Sequence, residues 1–194
     1  MIALSSHFTA NDRIEQRLAR TSAALDAAGS RYAVVGGNAV ASWFNSVDRG
    51  ATRATEDVDI MVRRTDVNRF AAVLTALPMN FTRQDRPDIV LFIVPDDPRK
   101  KSGVHLVWAD EMIRLSCSVP SPKVEESERA AEGCWVVSLG ALVRMKLTSF
   151  RDIDRVHVAD MLSAGLLTAA VLASLTPELR ARLESIEREE AENA

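Results

Sequence analysis

Cysteine is scarce in this sequence: there are two in 194 residues, Cys117 and Cys134. They stand too far apart to match a metal-ligand spacing, so the expectation is two reduced thiols. Long apolar runs are missing too. No stretch approaches the ~20 residues that a membrane span needs. The opening residues, MIALSSHFTAND, lack a basic region followed by an apolar run, so no secretory signal is expected. A cytoplasmic protein without a membrane partner is the reading. Nor is there a surplus of basic charge: 24 Lys and Arg against 27 Asp and Glu leave a net charge of −3. That removes a global signal for nucleic acid, although a local basic patch would still serve RNA. Internal repeats and low-complexity segments are absent as well.

What remains is an ordinary globular composition, 47% hydrophobic and 26% charged. A chain of this length buries a core without staples and makes one domain, or one domain with a helical appendage. The expected division is a core over 1–137 and a helical segment over 138–194 packed upon it.

The informative stretch is 32–62. Tyr32-Ala33-Val34-Val35 reads as a short strand, Gly36-Gly37 as a tight turn, and 38–44 as a helix. Glycines there let the backbone approach a ligand closely, and the free N–H groups of a first helical turn attract an anion. Further on comes Arg53-x-Thr55-x-Asp57-x-Asp59, running into Ile60-Met61-Val62. Strand alternation puts Arg53, Thr55, Asp57 and Asp59 on one face, and Val58, Ile60 and Val62 on the other, towards the core. Two carboxylates so close repel each other unless a cation lies between them. Mg²⁺ suits them, since it takes one or two carboxylates plus substrate phosphates. A phosphate cradle beside a magnesium clamp implies a nucleoside triphosphate and transfer of part of it.

The pair GGNA…RxTxDxDxxV resembles the nucleotidyltransferase fold of the DNA polymerase β superfamily. It is most similar to the small stand-alone members, including the AbiEii-like toxins of abortive-infection and toxin–antitoxin systems. The resemblance covers roughly 12–165. It implies an α/β (α+β) fold: a short mixed sheet flanked by helices, with a C-terminal helical segment. It also implies Mg²⁺ (or Mn²⁺) on Asp57 and Asp59, and a triphosphate cradled by Gly36, Gly37 and the N–H of Asn38. Such proteins often carry a third carboxylate on a later strand. The matching run here is 103–108, with His105 in that position. His105 is therefore expected to weaken a second metal site, and either to act as a base on the acceptor hydroxyl or simply to pack. Arg53 and Thr55 would contact phosphate or order the carboxylates; the alternative for Arg53 is a salt bridge to Asp57.

Elsewhere, helical spacing of Ile14, Leu18 and Leu25 predicts a first helix after a Thr9-x-x-Asp12 capping box, stopped by Gly29. Trp43 and Phe44 read as core. The run 45–51 reads as a polar loop. A helix carrying Phe70, Val73, Leu74 and Leu77 follows Thr65-Asp66. A short strand at 81–85 and a buried strand at 88–94 come next, the latter pairing with the His105 strand across a charged loop at 95–103. Segment 119–122 is irregular and 125–132 charged and without regular structure; 134–137 is a last strand. On a helix over 139–150, Leu139, Leu142, Val143, Leu147 and Phe150 form an apolar stripe with Lys146 inside it. Either Lys146 leans into the cleft to meet a triphosphate oxygen and neutralise the leaving pyrophosphate, or it pairs with a buried carboxylate. Lysine-bearing helices after the sheet recur in the resembled family, as do segments like Arg151-Asp152-Ile153-Asp154-Arg155. On the next helix, 152–164, Ile153, Val156, Met161 and Ala164 make the expected stripe. His157 and Asp160 share its sector. We read those two as a local cluster, Asp160 paired with Lys146 or Arg151; His157 as a general base is the alternative. More helix follows over 166–183, broken at Pro177, and the Glu-rich end frays.

Three functional expectations follow. One is a Mg²⁺-dependent transfer of a nucleoside monophosphate to a hydroxyl of tRNA or a protein, toxin-like and with a possible antitoxin. Another is a degenerate member that binds nucleotide or a partner. The third is a small-molecule, aminoglycoside-type nucleotidyltransferase.

Overall fold

The computed structural model describes residues 10–47, 55, 57–86, 89–94, 103–114 and 117–193. Helix α1 (Ala10–Ala27) ends where Gly29 takes a φ of 60°, with the Ser30 N–H returning to Leu25 O at 2.9 Å, which closes the last carbonyls. Its capping box falls on Thr9, outside the described residues. Strand β1 (Ala33–Val34) leads into α2 (Gly36–Val47), and β2 (Val58–Val62) follows. Phe44 is buried and the Trp43 indole donates to Val137 O at 3.0 Å, so both serve the core as expected.

Helix α3 (Val67–Thr75) buries Phe70 and Leu74, and β3 (Thr82–Asp85), β4 (Val90–Ile93) and β5 (Val104–Trp108) come next. The loop between β4 and β5 lies mostly outside the described residues. Then come β6 (Ser127–Arg129) and β7 (Trp135–Val137). Helices α4 (Leu139–Ser149), α5 (Asp152–Ser163), α6 (Ala169–Ala173) and α7 (Pro177–Asn193) complete the chain.

The strands form one mixed sheet in the order β3-β4-β5-β2-β1-β7-β6. Among the described residues only β2–β5 and β1–β7 run parallel. This topology positions the site. Strand β1 is antiparallel to β2, so its C-terminal end, where Gly36 opens α2, meets the N-terminal end of β2. Strand β5 is parallel to β2, so its N-terminal end lies there too, with Asp59 opposite His105. The predicted β4–β5 pairing is present, antiparallel, with Leu91 opposite His105. A hydrophobic cluster runs from Val34, Ile60 and Leu106 in the sheet to Leu142, Leu147 and Leu179 in the helical segment.

Two expectations are corrected. The charged run 125–132 is not irregular: it holds the edge strand β6, antiparallel to β7. Main-chain pairing suffices there, and charged side chains suit an exposed edge. The helical run over 166–183 is interrupted just before Pro177, as expected, and the proline opens α7, where its missing N–H costs nothing in a first turn. The Glu-rich end is helical through Asn193, held by Leu179, Leu183 and Ile186 in the core.

Candidate active site

Gly36 has a φ of 65°, and a Cβ there would lie 2.1 Å from Asp59 Oδ2. Only glycine supplies both the left-handed turn and the space for that carboxylate. A Cβ on Gly37 would come 3.0 Å from Thr55 Oγ1. The Val35 N–H donates to Asp59 O at 3.0 Å, locking the turn to β2. Two side chains then fix the backbone of the other carboxylate: Asn38 Nδ2 donates to Asp57 O at 2.7 Å and Thr55 Oγ1 donates to it at 3.1 Å. The Asn38 side-chain amide is thus used within the fold.

Asp57, Asp59 and His105 converge. His105 Nδ1 lies 3.4 Å from Asp57 Oδ2 and 3.3 Å from Asp59 Oδ1. One donor atom from each of the three fits within 4.8 Å. Burial on its own would lower the His105 pKa, but the hydrogen bond to Asp59 and the charges of Asp59 and Asp57 outweigh it, and the pKa is raised. The two carboxylates thus favour a positive charge on this ring. A divalent ion fits the same donors, two carboxylates and one imidazole nitrogen.

These groups open into a cavity of about 300 Å³ with Gly36, Lys146, Thr148, Arg151 and Asp154 in its walls. Lys146 is buried, as its stripe position implied, and its Nζ donates to Asp154 Oδ1 at 2.8 Å. Of the two readings of Lys146, the observed contact is the ion pair, made within the cavity wall. Arg151 grips the same carboxylate, Nε to Oδ2 at 2.7 Å and a terminal nitrogen to Oδ1 at 3.2 Å, while its side chain stays 54% exposed. Asp154 also accepts from the Arg151 N–H at 3.4 Å, one half of a capping box at the start of α5. Burial would raise the Asp154 pKa; the Arg151 hydrogen bond and the Lys146 charge overcome it and hold the carboxyl at about 2. The charges of Asp59 and Asp57 add to a raised Arg151 pKa, after its own bond to Asp154.

Asp160 was expected to pair with Lys146 or Arg151; both of these side chains hydrogen-bond Asp154. The α5 stripe is also different. Ile153 and Val156 are exposed, each at 52%, whereas Asp154, Val158, Ala159 and Met161 face inward. Sequence reasoning missed Asp154 as the centre of this network and Arg151 as the exposed cation. The available signal was the spacing 154, 158, 161, which runs along one helical face. Arg53 lies outside the described residues.

A second cavity, about 450 Å³, includes Asn38 and Thr55, the two residues that hold the Asp57 backbone, in its lining. Its described lining includes Ile14, Leu18, Glu15, Asp26, Glu132 and Cys134, and no lysine or arginine. Burial, foremost, pushes the Cys134 thiol up to about 11, so it is no nucleophile near neutrality.

No family model matches the sequence, and no curated protein does. Solved structures do match in shape. The antibiotic-resistance factor ANT(2'')-Ia in solution aligns with a TM-score of 0.56 at 15% identity, over 93% of this chain and 97% of that one. An antigenic nucleotidyltransferase-like protein from Paracoccidioides brasiliensis aligns with a TM-score of 0.57 at 15% identity, over 93% of this chain and 90% of that one. This chain has a nucleotidyltransferase fold. At such identities the likeness concerns the fold, and it agrees with the architecture expected from the sequence. Among the described residues no helix is long and apolar enough to cross a membrane.

Proposed function

We propose that this nucleotidyltransferase-fold chain is a metal-dependent enzyme that moves a nucleoside monophosphate from a nucleoside triphosphate to an acceptor hydroxyl. The observation that carries the reading is the convergence of Asp57, Asp59 and His105 on the Gly36 turn, in one cavity with Arg151. Asp57 and Asp59 hold Mg²⁺ or Mn²⁺, and the bound ion supplies charge neutralisation at the phosphates. Gly36, Gly37 and the N–H of Asn38 cradle the triphosphate at the start of α2, with Thr55 beside them. Arg151 meets the phosphates as a fork held in place by Asp154. Lys146 offsets Asp154 and adds its positive field to the leaving pyrophosphate without touching it. The acceptor oxygen attacks the α-phosphorus in line as the bond to pyrophosphate breaks. Orientation and electrostatics supply the rate.

The test is calorimetric titration of each ribonucleoside triphosphate, with and without Mg²⁺, on the wild type and on Asp57→Ala/Asp59→Ala. Metal-dependent binding lost in the double variant supports the reading. No binding to a folded wild type moves it to the degenerate, partner-binding alternative.

The acceptor divides the reading in two. The resemblance to AbiEii-like proteins favours tRNA or a protein, a toxin-like role and an antitoxin. The second cavity favours a cationic small molecule of the aminoglycoside type, because Glu15, Asp26 and Glu132 line it with no basic residue among its described lining. Transfer of an α-³²P label into tRNA, protein or an aminoglycoside panel separates the two.

A further inference from the structure

His105 sits at the centre of the carboxylate cluster, and its surroundings are not those of a packing histidine. It lies in register with Asp59 on a parallel neighbour strand, so the two side chains emerge on one face. Its Nδ1 points at both carboxylates, 3.3 and 3.4 Å away. Its Nε2 is buried and has no hydrogen-bond partner among the described residues. A structural histidine uses its buried nitrogens in the hydrogen-bond network of the core. Here, among the described residues, the ring's polar contacts are the two carboxylates.

The spacing suits a ligand. In an octahedral site with bonds of about 2.1 Å, adjacent donors lie roughly 3 Å apart. The observed 3.3 and 3.4 Å separations are within a small side-chain shift of that edge length. Asp57, Asp59 and His105 would then be the protein groups that hold the ion, within the cavity they line.

We propose that His105 is the third protein ligand of this site, and that it selects a first-row transition dication such as Mn²⁺ over Mg²⁺. The chemistry lies in the donor set. Mg²⁺ demands hard oxygen ligands and gives up its waters reluctantly, whereas imidazole suits transition ions and Mn²⁺ accepts both donor types. A strand position that carried a third carboxylate would favour Mg²⁺; the histidine shifts the balance. The inference deepens the nucleotidyltransferase reading by naming the ion, and rests on that reading for the ion's use but not for its binding.

The experiment needs neither nucleotide nor turnover. Mn²⁺ and Mg²⁺ are each titrated into the purified chain by calorimetry, and the Mn²⁺ complex is examined by pulsed electron paramagnetic resonance for coupling to a ¹⁴N nucleus. The expected result is imidazole coupling in the wild type and none in His105→Gln. The ratio of Mn²⁺ to Mg²⁺ affinity should also fall roughly 10-fold or more in His105→Asp, the usual scale for altering a metal site's support. Circular dichroism checks that each variant folds; if neither does, the wild-type coupling alone decides. A wild-type Mn²⁺ complex without nitrogen coupling overturns the proposal. So does a folded His105→Asp that leaves the ratio unchanged, or a wild type that binds no Mn²⁺. Nitrogen-coupled Mn²⁺ in a chain that transfers no label from any triphosphate would sink the enzymatic reading and leave this one standing.

Discussion

A single methyl group at position 36 would test how the turn serves the site. The new Cβ in Gly36→Ala would sit 2.1 Å from Asp59 Oδ2, at a φ of 65° that alanine disfavours. Backbone strain of that kind costs about 1–3 kcal/mol, and the carboxylate must also move. Gly36→Ala should therefore lower the unfolding free energy in urea by that amount and weaken Mn²⁺ binding. A wild-type midpoint with unchanged affinity would show that Asp59 has room the geometry denies. At this scale the sequence was most legible where residue type dictates chemistry. Paired glycines serve a close backbone approach, and paired carboxylates on one strand face call for a cation. Asp154 was hidden because alternating charges at 151–155 look like a solvated surface, and only packing reveals which of them turns inward.

Between elements, the elbow from α4 to α5 depends on one buried carboxylate. Phe150 ends α4 in the left-handed region, φ 48°, and brings Asp154 back over Lys146. Removing one partner of a buried pair leaves an uncompensated charge. Asp154→Ala should thus cost about 3–5 kcal/mol, while Lys146→Met/Asp154→Leu should come close to wild-type stability. Denaturant unfolding measures both; a double variant no better than the single would mean that the pair is not the source of the loss. The same group sets an acid limit. Its carboxyl is held at about 2, down from 3.8, so the folded chain takes up that proton less readily than the unfolded chain. The resulting stabilisation, about 2 kcal/mol, is complete above pH 4 and lost as the pH falls through the folded value. Stability measured from pH 4 to pH 2 should fall less steeply in Asp154→Asn than in the wild type. Helices α1, α3 and α4 were legible from apolar spacing. Strand β6 was not, because an edge strand needs no apolar alternation.

Over the whole molecule, strand directions gather residues 36, 59 and 105, distant in sequence, at one end of the central strands, and the helical segment adds 146, 151 and 154. Pairing between the His105 strand and its antiparallel neighbour could be anticipated from two apolar runs; the parallel β2–β5 register, which brings His105 to Asp59, could not, since nothing local specifies it. The described residues also line two cavities with different charged groups. One holds Arg151 and the carboxylate cluster; the other is lined by Glu15, Asp26 and Glu132. Asp26 already pairs with Arg129 at 2.8 Å and forms part of the wall. Glu132 accepts from Ser42 Oγ at 3.3 Å, and it and Glu15 are the other two acids of the lining. If a cationic small molecule is the acceptor, Glu15→Gln/Glu132→Gln should weaken its binding. Partly exposed charge pairs contribute about 0.2–1 kcal/mol each, so the double variant should lose roughly 2- to 30-fold in acceptor affinity. Triphosphate affinity should hold, because neither residue lines the carboxylate cavity. Raising the salt concentration should reproduce part of the loss in the wild type and little in the variant. Equal losses for triphosphate and acceptor would instead indicate damage to the α1–α2 packing around the cavity. An unchanged aminoglycoside affinity would remove the cationic small molecule and return the choice to a macromolecular hydroxyl.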